Sequence, residues 1–261
     1  MSNISTLAYV HPNATIGENV IIDPFAYIED NVIIGAGTRI MPHACIMEGA
    51  RIGENCTIFP NAVISGIPQD LKFNNEESLA IIGNNTTIRE CVTVNRGTES
   101  RGQTVVGNNC LLMAYSHVAH DCILKDYVII GNTVQLAGEV EIDDYAILSG
   151  GTLVHQFTKI GKHTMIQGGT RLGKDIPPFA MAGREPVSYV GLNVIGLRRR
   201  GFTSEQINAI QEVYRLLYLS GYNISQGMER IENDLADSPE RNDILDFVRA
   251  SSRGVVRGNM D

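Results

Sequence analysis

The segment SHVAHDCIL, residues 116–124, holds three side chains that could carry out acid–base chemistry. His117 and His120 are three residues apart, and Asp121 directly follows the second histidine. A neutral imidazole can take the proton of an alcohol whose oxygen attacks an acyl carbonyl, and a carboxylate beside it favours the imidazolium that forms. The segment therefore predicts a general base, with a metal site or polar surface residues without function as the alternatives.

Covalent catalysis has little support in the sequence, because no serine or cysteine lies in an obvious nucleophile motif. Direct transfer is therefore favoured over an acyl-enzyme. The five cysteines form no CxxC pair and are odd in number, so neither a disulfide framework nor a structural zinc site is expected.

Asp121 can reach His120 only if a corner of the chain lies between them, since strand neighbours point to opposite faces.

Aliphatic residues recur at every sixth position along most of the chain. The column runs without interruption from Val10 to Ile64, resumes at Ile82 and continues to Leu172. The positions out of pattern are Asp70, Glu76 and Ser100. A period of six does not bring side chains onto one face of an α-helix. The residue four positions after a column residue is mostly small or β-branched, and the pattern predicts short strands around a narrow prism, three hexads to a coil.

Two polar, glycine-containing segments, 66–81 and 95–104, break the column and are predicted to be loops. Cys56, Cys110 and Cys122 fall on the small inward position and are predicted to be core residues. The hexads stop before KDIPPF, and Thr203 with Gln206 has the spacing of a capping box. The expected domains are residues 1–190, a parallel β-helix with two loops, and residues 191–261, an α-helical domain capping one end.

The coil length of eighteen residues determines which functional candidates can meet. His155 lies 36 residues beyond position 119, so it is predicted on the same prism edge as His117 and His120, displaced by roughly 10 Å. Asn132 lies two thirds of a coil beyond His120 and faces a different side. If both serve one site, that site lies between neighbouring prisms, and a three-sided prism suits a cyclic homotrimer.

Composition excludes several classes of function. The formal charge of −8 argues against nucleic acid as a partner, because binding phosphates needs a basic face. The chain starts without a basic segment followed by an apolar run and has no stretch of eighteen apolar residues, which predicts a cytoplasmic protein without a membrane span. The run Arg198–Arg200 could clamp a diphosphate or an acidic protein surface, or it could be a solvated linker.

The chain resembles the hexapeptide-repeat acyltransferases, and in particular the UDP-N-acetylglucosamine O-acyltransferases of lipid A biosynthesis. The resemblance covers the whole chain and rests on the hexads followed by four motifs: QDLK (69–72), HVAHDC (117–122), VHQF (154–157) and GLNVIGLRRRGF (191–202). It implies a left-handed parallel β-helix with an all-α C-terminal cap. It also implies transfer of an (R)-3-hydroxyacyl group from acyl carrier protein to the 3-hydroxyl of UDP-N-acetylglucosamine, by a homotrimer without metal.

The same resemblance implies roles for individual residues. His120 is the general base and Asp121 supports it. The implied substrate-binding residues are Gln69, Asp70, Lys72, His117, Asn132, His155, Gln156, Gly168, Asn193, Arg199 and Arg200. Gly168 leaves room for a long acyl chain, and the arginines meet the nucleotide phosphates or the carrier. No cofactor is implied beyond the phosphopantetheine that holds the acyl group on the carrier.

The sequence departs from well-known members of the family at two positions. Glu139 stands where a histidine is often found, which places a carboxylate where a cation is expected. Ile195 replaces an acid and removes a hydrogen bond to the nucleoside.

Two alternatives remain at this level, and a third, a zinc enzyme, is disfavoured by the histidine spacing. A γ-type carbonic anhydrase needs histidines two coils apart with a third five residues on, whereas the spacings here are three residues (117 to 120) and thirty-five (120 to 155), so zinc is not expected. An acetyltransferase using acetyl-CoA on a nucleotide sugar would share the prism and the base. A non-catalytic scaffold would need no histidine edge.

Overall fold

The computed structural model of the protein describes residues 2–258. The first strands in chain order are β1 Asn3–Ile4, β2 Tyr9–Val10, β3 Thr15–Ile16, β4 Ile21–Ile22, β5 Tyr27–Ile28, β6 Ile33–Ile34, β7 Arg39–Ile40, β8 Cys45–Ile46, β9 Ala50–Ile52, β10 Thr57–Ile58, β11 Val63–Gly66, β12 Leu79–Ile82, β13 Thr87–Ile88, β14 Thr93–Asn95 and β15 Gln103–Val106. They are followed by β16 Leu111–Leu112, β17 His117–Val118, β18 Ile123–Leu124, β19 Ile129–Ile130, β20 Gln135–Leu136, β21 Glu141–Ile142, β22 Ile147–Leu148, β23 Leu153–Val154, β24 Lys159–Ile160, β25 Met165–Ile166, β26 Arg171–Leu172, β27 Ala180–Gly183, β28 Ser188–Leu192 and β29 Arg257–Gly258.

Strands β1–β27 form three parallel sheets, the walls of a three-sided prism. Sheet 1 runs β1-β4-β7-β10-β13-β16-β19-β22-β25-β27 and ends with β28 and β29; sheet 2 runs β2-β5-β8-β11-β14-β17-β20-β23-β26; and sheet 3 runs from β3 to β24. Up to β26, strands pair with the strand three further along the chain, as Leu112 with Ile130 and Ile130 with Leu148, and β25 then pairs with β27. The eighteen-residue coil and the left-handed parallel β-helix are therefore confirmed.

The aliphatic column forms the core of the prism. From Ile22 onwards its members are buried almost completely, as Ile40, Ile88 and Leu148 illustrate at 0% exposure, whereas Val10 and Ile16 are half-buried. The small inward position holds alanine, valine, threonine or cysteine, and Cys56, Cys110 and Cys122 are buried as predicted. Each hexad can be this short because the chain turns sharply between strands, with many corner residues in the left-handed region of φ.

The corners explain which residue types end a hexad. Asn19, Asn55 and Asn85 have φ values of 56°, 54° and 56°, a conformation that asparagine tolerates better than most side chains. These asparagines lie at the corner between sheets 3 and 1, and in later coils of the same corner aromatic rings take their place and stack coil upon coil. Tyr127 lies 4.6 Å from Tyr145, and Tyr145 lies 4.9 Å from His163. These spacings match the distance between hydrogen-bonded strands, about 4.8 Å.

Two loops leave the prism where the column breaks, but strands extend into the predicted loop bounds. Residues 79–81 already belong to β12, so the first loop spans 67–78. Residues 95, 103 and 104 belong to β14 and β15, so the second loop spans 96–102. The difference arises because β12 and β15 are four-residue strands that pair along their full length, from Leu79 with Gln103 to Ile82 with Val106.

The C-terminal region closes one end of the prism. Its helical elements are α1 Val194–Arg199, α2 Ser204–Tyr214, a π-helical turn Arg215–Leu219, α3 Ile224–Asp234 and α4 Pro239–Ala250. The Thr203–Gln206 capping box at the start of α2 is confirmed, and Ser238 caps α4. The sequence did not predict that the chain returns after α4, where β29 pairs with β28. None of the helices between residues 2 and 258 has the length and apolar surface that crossing a membrane requires.

Candidate active site

His120 and Asp121 meet at the corner between β17 in sheet 2 and β18 in sheet 3. Asp121 has a φ of 60°, so the chain turns there and neighbouring side chains can meet. His120 Nδ1 lies 2.8 Å from Asp121 Oδ2. Asp121 is fully buried, and His120 is 9% exposed. This geometry satisfies the condition that the sequence set for the pair, since a corner does lie between them.

The buried carboxylate of Asp121 receives further hydrogen bonds from the loop 96–102. The Thr98 backbone N–H and the Arg101 backbone N–H donate to Oδ1, at 3.0 and 3.2 Å. The Thr98 hydroxyl donates to Oδ2 at 2.6 Å. Neither Thr98 nor Arg101 was predicted from the sequence, although the break in the column at 95–104 indicates a loop that leaves the prism near the histidine segment.

His120 faces a cavity of about 400 Å³ that both loops help to enclose. Its lining residues are Asp70, Lys72, Glu76, Thr98, Glu99, Ser100, His120, Glu139, Gln156 and Phe157. Four of the residues singled out in the sequence, Asp70, Lys72, His120 and Gln156, therefore surround one space. Lys72 supplies its cation, and the Asp70 carboxylate accepts a hydrogen bond from the Lys72 backbone at 2.9 Å. Gln69, on the same loop, is exposed.

His117 and His155 line a second space, a groove of about 570 Å³ on sheet 2. Most of its lining is aliphatic, including Ala119, Leu136 and Leu153. His117 Nδ1 lies 2.7 Å from the Thr93 hydroxyl. Burial lowers the pKa of His117, and the neighbouring His120 lowers it further, so His117 is neutral at neutral pH. The predicted histidine edge is thus divided, with His120 facing the polar cavity and the other two histidines facing the apolar groove.

The remaining predicted residues do not join either space within one chain. Asn132 and Gly168 lie at the corner between sheets 1 and 2, as the strands on either side of them show. Asn193 lies at the corner between sheets 3 and 1, where its side-chain amide donates to the His163 carbonyl at 2.9 Å. The candidate residues are therefore distributed over all three corners of the prism.

Arg200 lies at the same corner as Asn193. Its guanidinium donates to the Tyr145 carbonyl at 3.1 Å and covers the Tyr145 ring at 5.2 Å. Burial lowers the pKa of Arg200. Arg199, at the end of α1, is exposed. Of the two, Arg200 is held in place by the prism, whereas Arg199 extends into solvent.

The two departures from the family pattern have different surroundings. Glu139 accepts a hydrogen bond from the Ser100 hydroxyl at 3.1 Å and pairs with Arg101 at 3.7 Å. Arg101 also pairs with Glu141 at 2.5 Å. The carboxylate is thus neutralised by a residue of the second loop. Ile195 is 67% exposed in the first turn of α1.

Within residues 2–258, no three His, Cys, Asp or Glu side chains are arranged to hold a metal ion.

Three parallel sheets built on a six-residue repeat, with a histidine–aspartate pair at one corner, define the class of hexapeptide-repeat transferases. A family model described as bacterial transferase hexapeptide (six repeats) matches residues 103–138. A model described as UDP N-acetylglucosamine O-acyltransferase, domain 2, matches residues 175–256, and one for the GMPPB C-terminal domain matches residues 4–105.

Individual relatives match over almost the full chain. The acyl-(acyl-carrier-protein)–UDP-N-acetylglucosamine O-acyltransferase of Chlorobaculum parvum is 59% identical over 255 residues, 97% of each chain. The crystal structure of the UDP-N-acetylglucosamine acyltransferase of Bacteroides fragilis matches with a TM-score of 0.96 at 55% identity, covering 97% of this chain and 99% of that one. The Francisella novicida enzyme matches with a TM-score of 0.95 at 40% identity, covering 98% and 95%. The chain belongs to the family of acyl carrier protein-dependent UDP-N-acetylglucosamine O-acyltransferases.

Proposed function

We propose that this chain transfers an (R)-3-hydroxyacyl group from acyl carrier protein to the 3-hydroxyl of UDP-N-acetylglucosamine, the step that begins lipid A biosynthesis, with His120 as general base. Family membership supports the substrates, since the relatives are named for both of them. One observation carries the role of His120. Its Nδ1 is bonded to a fully buried carboxylate, and the ring borders a cavity with room for a sugar.

The tautomer of His120 follows from its partner. A carboxylate can only accept hydrogen bonds, so Nδ1 must be the donor to Asp121. The proton of the neutral ring therefore stays on Nδ1, and Nε2 keeps its lone pair. Nε2 takes the proton of the sugar 3-hydroxyl while that oxygen forms a bond to the thioester carbon. The tetrahedral intermediate then expels the carrier's thiolate, which receives this proton from the imidazolium and leaves as a thiol. The carbon–sulfur bond breaks, no acyl-enzyme forms, and no cofactor is consumed.

The two spaces beside His120 suit the two substrates. The polar cavity with Lys72, Asp70 and Gln156 supplies donors and acceptors for a sugar, and the apolar groove beside His117 suits an acyl chain. An acetyl group would leave most of a groove of about 570 Å³ empty, which favours a long acyl donor over acetyl-CoA. Purified protein offered both donors with UDP-N-acetylglucosamine should use the acyl carrier protein.

We also propose that the working unit is a homotrimer. Asn132 and Gly168 occupy a different corner from His120, and Arg200 a third. They can serve the same site only if the corners of neighbouring prisms meet, and a closed ring of three-sided prisms achieves this. In such a ring one chain supplies His120 and its neighbour supplies the nucleotide contacts.

Replacing His120 with alanine tests the general base. His120→Ala should leave the trimer assembled and reduce kcat by at least about a hundredfold, the scale of a lost general base. His11→Ala is the matched control, because His11 lies in an early coil far along the chain from the site. Acyl transfer is measured by mass spectrometry of the product, and assembly by light scattering. Retention of more than a tenth of the wild-type rate by His120→Ala would remove the proposed role.

Complementation between variants tests whether sites are shared. His120→Ala subunits and Arg199→Ala/Arg200→Ala subunits are co-expressed in equal amounts. Loss of the arginines is expected to raise the KM for one substrate, so both substrates are kept below that raised KM. If each site uses two chains, about a quarter of the interfaces carry no lesion, and about a quarter of the wild-type activity returns. Mixed trimers as inactive as either parent would mean that each chain forms its own site.

A further inference from the structure

Thr98 lies in the second loop, outside every motif that the family resemblance supplied. It is 7% exposed, although the loop connects two strands at the surface of the prism. Its backbone N–H donates to Asp121 Oδ1 at 3.0 Å, and its hydroxyl donates to Oδ2 at 2.6 Å. One residue thus contacts both oxygens of the carboxylate that supports His120.

The direction of the Thr98 hydroxyl proton follows from its two partners. The Ser100 backbone N–H donates to a lone pair of Thr98 Oγ1 at 3.3 Å. A carboxylate can only accept hydrogen bonds, so the single hydroxyl proton points to Asp121 Oδ2. Oδ2 also receives His120 Nδ1 at 2.8 Å. The same carboxylate oxygen therefore joins the hydroxyl and the imidazole.

Two further hydrogen bonds stabilise the contact between Thr98 and Asp121. Gly102 N–H donates to the Thr98 carbonyl at 2.7 Å, which closes the loop on itself. The Asp121 backbone N–H donates to the Thr104 hydroxyl at 2.8 Å, so the backbone that bears the carboxylate is anchored to β15. Because Asp121 is fully buried, an oxygen that loses a partner has no water to replace it.

We propose that Thr98 is a positioning residue, whose hydroxyl holds Asp121 Oδ2 against His120 Nδ1 so that the imidazole keeps Nε2 free for the acceptor hydroxyl. The role rests on the proposed function of His120. Arg101 shares the loop but its hydrogen bond to the carboxylate comes from the backbone N–H, which any residue except proline would retain. The side chain that matters is therefore that of Thr98.

Three substitutions separate the hydroxyl from the shape of the side chain. Thr98→Val removes the hydroxyl and keeps the volume, and it should lower kcat about tenfold, the cost of one hydrogen bond to a charged group. The KM for UDP-N-acetylglucosamine should stay within twofold, because Thr98 acts through Asp121. Thr98→Ser keeps the hydroxyl and should retain at least half of kcat. Thr164→Val is the matched control, since Thr164 is fully buried and its hydroxyl has no partner among the described residues.

A second background tests whether Thr98 acts through Asp121. In an Asp121→Ala enzyme the hydroxyl has no carboxylate to hold, so adding Thr98→Val should change kcat less than twofold. A residue needed only for loop folding would lower kcat by the same factor in both backgrounds. If valine prevents assembly, Thr98→Ala takes its place under the same criteria, because alanine only removes atoms.

The outcomes are separable from those of the proposed function. His120→Ala is assayed beside the Thr98 variants, and activity there would refute the general base itself. With His120 essential, any of three results would refute the role of Thr98 alone: Thr98→Val within twofold of wild type, Thr98→Ser as impaired as Thr98→Val, or equal losses with and without Asp121.

Discussion

At the scale of single residues, the position of the His120 ring depends on a glycine in the coil above it. An alanine Cβ at Gly138 would lie 2.6 Å from both Cε1 and Nε2 of His120, closer than real Cβ contacts allow. The three nearest atoms all belong to that imidazole, so the ring is what must move. Gly138 is thus needed for space beside Nε2, the proposed proton acceptor, and not for its backbone conformation.

Gly138→Ala is expected to lower kcat by more than about tenfold, because displacement of about 1 Å at the base costs this much or more. The thermal midpoint and the oligomeric state should stay close to those of wild type, since the backbone at Gly138 suits alanine. Steady-state kinetics with both substrates saturating give kcat, and light scattering gives the assembly. A kcat within twofold of wild type would mean that the ring can shift without losing its function.

At the scale of elements, the sequence predicted the repeating part of the fold because inward positions are local and periodic. Every hexad repeats the same requirement, one long and one small buried side chain, so the column from Val10 to Leu172 is sufficient for the prism. The contact between Thr98 and Asp121 has no such regularity. It joins residues 23 apart across a loop, and no spacing rule predicts it.

The candidate site, like the fold, was predictable from the sequence only in part. The motif around His120 indicated a base, and the coil arithmetic placed Asn132 on another side of the prism, as the strand order shows. The coil length alone does not predict that His117 and His155 face an apolar groove while His120 faces a polar cavity. That division depends on which way the chain turns at the Asp121 corner, a property of φ that the residue type leaves open.

The stacked corner between sheets 3 and 1 makes the stability of the protein depend on pH. Burial, followed by the cations of Arg200 and Lys162, lowers the pKa of His163 to about 4, and Asp144 only partly opposes them. An unfolded chain binds a proton at this histidine at a higher pH than the folded chain does. The contribution of His163 to stability is therefore lost as the pH falls from about 7 towards 4.

His163→Phe is expected to weaken this pH dependence. Phenylalanine already occupies the same corner conformation at Phe157 and Phe179, with φ values of 65° and 68°, and it can keep the stack with Tyr145. Between pH 7.5 and 5 the free energy of unfolding of wild type should fall by about 1 kcal/mol more than that of the variant, allowing for the partial exposure of the ring. Urea unfolding at fixed protein concentration measures both. If wild type and variant lost the same free energy of unfolding, His163 would take up its proton over the same pH range in the folded and the unfolded chain.

At the scale of the whole molecule, the prism must be closed at the end where the hexads stop, and a buried tyrosine makes that connection. Tyr214, at the end of α2, is 1% exposed and donates from its hydroxyl to the Pro178 carbonyl at 2.5 Å. Its ring stacks on Tyr189 at 4.7 Å and lies 5.8 Å from that of Tyr218. Helix α2 is thereby bonded directly to the segment that ends the prism.

Two tyrosines of this cluster differ in one respect that makes them a matched pair. Among residues 2–258, the buried hydroxyl of Tyr218 has no hydrogen-bond partner, whereas that of Tyr214 has one. Tyr214→Phe leaves a buried carbonyl unpaired and should lower the free energy of unfolding by about 1–3 kcal/mol. Tyr218→Phe removes an unpaired hydroxyl and should be neutral or slightly stabilising. Equal losses in urea unfolding would show that the rings, and not the Pro178 bond, hold the helical cap on the prism.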